Sequence, residues 1–332
     1  MRRPQRTLPI ALVAMLIGVA PSSCTSKEDV RPDPAPQAPA PDAWNQAAHD
    51  AAKPTEDASD TAEPVKSCAE RAKALPGPTM VEVPAPDGST YCMDRTEVTQ
   101  GQYFMFLEAK GASPGGGPIR GDVTGQPPGC ELNVAYAPDP VSDSPGCRYA
   151  HGEPTAYDYH GNHPNHSVGC VDWCDAYMVC QWAGKRLCGR IGGGALDLEE
   201  STEATTSQWY NACSQGGKSA YAYGDEFEAG RCVDGIEPTE GVDESEALSL
   251  SQNVESKPQC HGSTRPFDQV LNLSGGVAEW ADGCTGPEVA GSGSCLKYAT
   301  LFAEAGRFAC ANVIPTWRLT HIPELGFRCC LD

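Results

Sequence analysis

The chain has 332 residues, with 44 acidic against 24 basic side chains, a net charge of −20 and a pI near 4.7. So acidic a protein repels phosphate backbones, which excludes nucleic acid as a partner. Seventeen cysteines are far more than a reducing cytosol sustains, and with no CxxC pair they do not read as a zinc ribbon, so the composition points to an exported, disulfide-bonded protein.

The amino terminus agrees. Arg2, Arg3 and Arg6 precede an apolar stretch over residues 8–19, and the small residues Ser22 and Ser23 stand just before Cys24, the three-part pattern of a secretory signal. The apolar run is about a dozen residues long and contains Pro9, whereas a spanning helix needs roughly 20 apolar residues. Cys24 at the end of this pattern predicts a bacterial cell-envelope lipoprotein, with residues 1–23 removed as the signal and the membrane contacted through a lipid anchor on Cys24. Pro21 stands where an aliphatic residue is usual in such signals, so cleavage to a soluble secreted or periplasmic protein is the alternative. Setting Cys24 aside leaves 17 − 1 = 16 cysteines, an even number that eight bridges would consume.

Residues 24–66 are rich in Pro, Ala, Asp and Glu, with only Trp44 to anchor a core, and read as a disordered tether. Residues 67–332 then form one domain of about 265 residues, near the upper end for a single core. No internal repeat is visible. The acidic stretches at 197–203 and 225–246 read as solvated loops, with attraction of divalent cations as the sharper alternative.

Taken in order, residues 80–83 and 91–93 flank Pro84-Ala85-Pro86-Asp87-Gly88 and predict two strands joined by a turn. Thr99 then caps a helix with Tyr103, Phe104, Phe106 and Leu107 as its apolar stripe and Gly111 at its end. Residues 112–150, rich in Gly and Pro, predict a long irregular loop in which Cys130 and Cys147 would form a local staple. Asp172 caps a second helix that runs to Gly184, on which Trp173, Ala176, Tyr177 and Cys180 share a face. Cys174 and Cys180 lie about 240° apart around that helix, so each must find a separate partner. A third helix over 207–214 ends at Gly216-Gly217.

Several of these segments resemble, in order, those of the sulfatase-modifying-factor family, whose best-known members are the formylglycine-generating enzymes. Asp94-Arg95-Thr96-Glu97-Val98-Thr99 is similar to the family's opening helix entry, and the stretch from Val171-Asp172-Trp173 through Gly184-Lys185-Arg186-Leu187 to its central helix and turn. Trp209-Tyr210, Gly216-Gly217, residues 221–225, residues 271–280 and Gly326-Phe327-Arg328-Cys329 follow in register. The resemblance implies an irregular α+β fold of the formylglycine-generating type, related to C-type lectins, with insertions at 112–150, 189–205 and 234–252.

The same resemblance implies bridges joining Cys180 to Cys329 and Cys213 to Cys310; Cys284 with Cys295 is a further local staple. It also implies a calcium ion held by the Asn272 side chain, the Gly275 and Val277 carbonyls and the Glu279 carboxylate, oxygen donors of the kind calcium takes. The family's usual Asn between the two carbonyl donors is Gly276 here, and a second family calcium site is lost or rebuilt because Arg231 stands where an oxygen donor is needed.

Activating members of the family oxidise a substrate cysteine with a copper ion held by two thiolates, a soft set suited to Cu(I). The corresponding segment here, residues 297–308, contains no cysteine; the two positions fall near Thr300 and Ala305, so copper is not expected. Cys295 lies closest to that segment and reads as a bridge partner. His160, His163 and His166 recur at three-residue spacing, but Gly161 and Pro164 oppose a helix that would align them on one metal. Two readings follow. The first is a catalytically divergent binding module that presents loops to an extracytoplasmic protein, peptide or glycan; the alternative is an oxidase whose altered metal site uses the histidines or Cys295.

Overall fold

The structure, a computed structural model, describes residues 67–111, 123–136, 147, 163–235, 251–285, 293–298 and 305–332. The signal at 1–23, Cys24, the tether at 24–66, His160 and Thr300 lie outside these residues.

Each helix begins where a short polar side chain can satisfy the open amides of its first turn. The five-residue helix α1 (Cys68–Ala72), which the sequence pattern did not announce, starts with a capping box between Ser67 and Glu70. The hairpin strands β1 (Met80–Pro84) and β2 (Thr90–Asp94) pair from Met80 with Asp94 to Pro84 with Thr90. Their turn closes as the Asp87 carboxylate accepts from the Ser89 amide and hydroxyl. Helix α2 (Gln100–Ala109) has a second capping box, Thr99 with Gln102, and buries Tyr103, Phe106 and Leu107. Phe104 is only half-buried and Met105 is exposed, so the apolar stripe is narrower than its composition suggests. Asp172 caps α3 (Trp173–Trp182) and Ser207 caps α4 (Gln208–Cys213).

Two four-stranded sheets complete the domain. In the first, β1, β2, β8 (Cys329–Leu331) and β3 (Arg186–Leu187) lie side by side and antiparallel. The second runs β6 (Val313–Trp317), β5 (Ser294–Tyr298), β4 (Ala278–Thr285), β7 (Leu325–Phe327), with only β4 and β7 parallel. Strands β7 and β8 belong to different sheets and are separated by Arg328 alone, so the chain changes sheets at that residue.

The main core packs α2 and α3 against β4 and β7. Phe106 meets Tyr136 and Trp182 edge-on at 5.0 and 5.7 Å, and the fully buried Trp280 donates its indole N–H to the Val171 carbonyl. A second cluster gathers Val83, Tyr91, Met93, Trp209 and Tyr298, the last two stacked at 4.1 Å. No helix among the described residues is long and apolar enough to cross a membrane.

Eight disulfides join all sixteen cysteines after Cys24. Cys180 pairs with Cys329, Cys213 with Cys310, and Cys284 with Cys295 across β4 and β5. The expected staple between Cys130 and Cys147 is corrected: Cys130 bonds Cys174 on α3, and Cys147 bonds Cys170 just before it. The insertion is therefore tied down onto the central helix, not stitched to itself. Cys174 and Cys180 leave α3 on different sides, one holding the insertion and the other β8, as their angular separation requires.

Candidate functional site

Arg328 sits at the crossing between the sheets with no exposure. Its Nε and Nη2 donate to the two oxygens of Glu279 on β4, each at 2.7 Å, while Nη1 donates to the Asp94 carbonyl on β2 and Nη2 also to the Leu271 carbonyl. One planar guanidinium thus ties both sheets and the 272–279 turn together, with a fork geometry that suits a carboxylate. Glu97 Oε2 stands 4.0 Å from the same Nη2.

A second buried pair lies beside it. Lys185, in the turn where Gly184 ends α3 with φ of +68°, reaches the Asp94 carboxylate at 2.6 Å and the Pro78 carbonyl at 3.0 Å. Burial pushes the Asp94 carboxyl up to about 6 against the pull of Lys185. Burial likewise pushes Glu97 up to about 7, against the attraction of Arg328 and with the added repulsion of Glu279. Three carboxylates and two cations share this interior, an excess of one negative charge when all are ionised.

In this arrangement the side chains expected to hold calcium have protein partners. Both oxygens of Glu279 are bound by Arg328, and Oε2 also accepts from the Trp209 indole at 2.8 Å. A calcium ion there would compete with a guanidinium for the single carboxylate of the set. Asn272 turns its amide nitrogen toward the Glu97 carboxylate and the Val254 carbonyl, each at 2.8 Å, instead of offering an oxygen to a cation. Gly275 and Val277 are both buried in the same turn. Gly276, with φ of +76°, has its place fixed by Glu97: a Cβ there would lie 2.4 Å from Glu97 Oε1. Arg231, at the second family position, is held by Glu228 at 2.8 Å and stacks on Tyr223.

A family model described as the sulfatase-modifying factor enzyme 1-like domain matches residues 79–332, the span that includes both sheets and this ion network. The chain belongs to this family. Solved structures similar to it include PvdO from Pseudomonas aeruginosa, 16% identical over 77% of this chain and 94% of that one with a TM-score of 0.46. CarF is 16% identical over 74% and 87% with a TM-score of 0.39, and Treponema denticola variable protein 1 is 14% identical over 76% and 94% with a TM-score of 0.35. No curated protein matches the chain in sequence.

In the family's activating members the chemistry rests on two free thiolates, and here Cys295 is bonded to Cys284 while Cys310 is bonded to Cys213. Of the segment 297–308, Lys297 is buried on β5 and Arg307 stacks over the Phe308 ring at 4.4 Å while donating to the Asp234 carbonyl. Burial holds the Lys297 ammonium below its ordinary range. None of these groups is a soft ligand. The His163 and His166 rings lie 4.5 Å apart in a turn.

What the family positions do not explain is the surface of the insertion. An open cleft of about 440 Å³ lies among Val123, Gln126, Pro127, Pro128 and Val134. Leu132 and Val134 are 55% and 62% exposed beside it, on a segment pinned to α3 by Cys130. The ion network was hidden in the sequence for a simple reason: its members are spread from Asp94 to Arg328, and only the placement of a charged residue between Phe327 and Cys329-Cys330 hinted that Arg328 is buried.

Proposed function

We propose that this protein is an exported, lipid-anchored member of the sulfatase-modifying-factor family that has given up formylglycine formation and serves as a recognition module for an extracytoplasmic protein, peptide or glycan. The observation that carries this reading is the thiol inventory. Every cysteine from Cys68 onward is in a disulfide, so the domain offers Cu(I) no thiolate pair and a substrate thiolate no partner metal. The cleft of residues 123–134, tied to α3 by the Cys130–Cys174 bridge, with apolar Leu132 and Val134 exposed and proline in its wall, supports binding by a loop held in place before its partner arrives. Pre-ordering matters because a loop already fixed loses little further entropy on binding.

The test incubates the purified protein with a sulfatase-type cysteine peptide, copper, oxygen and a mild reductant, and follows the peptide by mass spectrometry. No mass loss is expected. Copper-dependent conversion abolished by Cys295→Ser would show that the Cys284–Cys295 pair opens to form a displaced redox site, and the recognition reading would then be wrong.

A further inference from the structure

Asp172 caps α3 with one oxygen and holds the other in a second environment. Its Oδ1 accepts the Asp175 amide at 2.8 Å, whereas Oδ2 has no hydrogen-bond partner and lies 3.7 Å from His321 Nε2. Asp175, within the first turn, has Oδ1 held by Asn133 Nδ2 at 2.7 Å, and its Oδ2 is likewise without a hydrogen-bond partner. Both aspartates are completely buried, and the His321 side chain is 17% exposed. Among the described residues this is the one group of three metal-ligating side chains whose donor atoms converge, all within 4.8 Å of one another.

Two buried oxygens without hydrogen-bond partners, on side chains whose ligand atoms lie within 4.8 Å of each other and of an imidazole nitrogen, leave a gap in hydrogen bonding. Among the described residues no lysine or arginine forms an ion pair with either aspartate, and the His321 ring is the neighbour of Asp172. Burial and the facing Asp172 push the Asp175 carboxyl well above its ordinary range, with Asn133 and Tyr103 acting in the other direction. A cavity of about 60 Å³ between residues 132–135 and 319–321 opens onto Asp172 and His321, which gives an ion and a water a way in.

We propose that Asp172, Asp175 and His321 bind one divalent first-row transition ion of the zinc class, clamping the start of α3 to the 319–321 turn beneath the insertion. The donor set decides the class. Two carboxylate oxygens and one imidazole nitrogen suit zinc and its neighbours, fall short of the six to eight oxygens of calcium, and lack the sulfur that Cu(I) prefers. With three protein ligands, the coordination position facing the cavity stays open to water. Asn133 fixes the Asp175 carboxylate from outside, so the inserted segment 123–136 contributes the orientation of a ligand as well as the cavity wall.

The experiment strips the full chain with chelator, removes the chelator, and measures zinc uptake by equilibrium dialysis and native mass spectrometry, with Co(II) as a visible-absorption probe and Mg(II) as a control. One zinc per chain is expected, with Co(II) d–d bands and no uptake of Mg(II). Outer-shell groups alone change metal affinity by about 10 to 100-fold, so losing a ligand should weaken binding by more than about 100-fold. Asp172→Asn retains a good helix cap and His321→Gln lies in a turn, so both variants should keep the fold, checked by their intact disulfide map. His163→Gln should leave binding unchanged. Failure to take up zinc at micromolar concentration, unaltered affinity in both ligand variants, or loss that follows His163→Gln would each overturn the site.

Discussion

Replacing Glu97 by glutamine tests whether the buried ion network carries a proton at neutral pH. Burial raises Glu97 from an ordinary value of 4.5 to about 7. An acid whose pKa is higher in the folded state holds its proton more tightly there, so its contribution to stability is greatest below the unfolded value and is lost as pH rises from 4.5 through about 7. A shift of this size corresponds to roughly 3 kcal/mol at pH 8. Glutamine has the same shape, carries no charge at any pH, and its oxygen can still accept from Asn272 Nδ2. The variant should therefore be more stable than the wild type by roughly 2–3 kcal/mol at pH 8, about 5–10 °C in Tm for a domain of this size, with the difference fading towards pH 5. Guanidinium unfolding without reductant, followed by the fluorescence of buried Trp209 and Trp280, measures it at pH 8, 6.5 and 5. A glutamine variant less stable than wild type at pH 8 would refute the reasoning, because it would mean that attraction to Arg328 outweighs the desolvation of Glu97. Asp94 and Asp282, each raised to about 6 by burial, act in the same direction, so the wild-type domain itself should gain stability between pH 8 and 5.

Two other outcomes follow from the same structure. Peptide mapping without reduction should recover Cys130 linked to Cys174, and the double variant Cys180→Ala with Cys329→Ala should lose about 2.5 kcal/mol, the chain-entropy value for the loop of about nine positions that this bridge still closes while Cys188–Cys330 joins the same two segments; a loss near about 5 kcal/mol would mean that Cys188–Cys330 does not restrain the unfolded chain. Calcium added to metal-free protein should move Tm by less than about 1 °C, since a ligand stabilises only by binding the folded state, and a rise of several degrees abolished by Glu279→Gln would show that Arg328 yields the carboxylate to the ion.

The sequence alone determined the features whose physics is local. Thr99 and Asp172 announced helix starts because a cap acts within one turn, and Asp87-Gly88 announced the hairpin because turn chemistry involves only adjacent residues. The angular separation of Cys174 and Cys180 likewise excluded a bond between them, and the ordered motifs pointed to the family. Tertiary structure decided what depends on chain segments meeting after long detours. Proximity in sequence suggested Cys130 with Cys147, yet the insertion folds onto α3 and Cys130 meets Cys174. That Glu279 would meet a guanidinium was not legible either, because the change of sheets at residue 328 delivers Arg328 to it. Asp172 was legible as a cap through Oδ1; that its Oδ2 lies near His321 is a matter of how the 319–321 turn packs on α3, about 150 residues away along the chain. A residue's local role is written in its neighbours, whereas a second role for the same side chain arises only when burial brings distant charge within a few ångströms and removes the water that would have screened it.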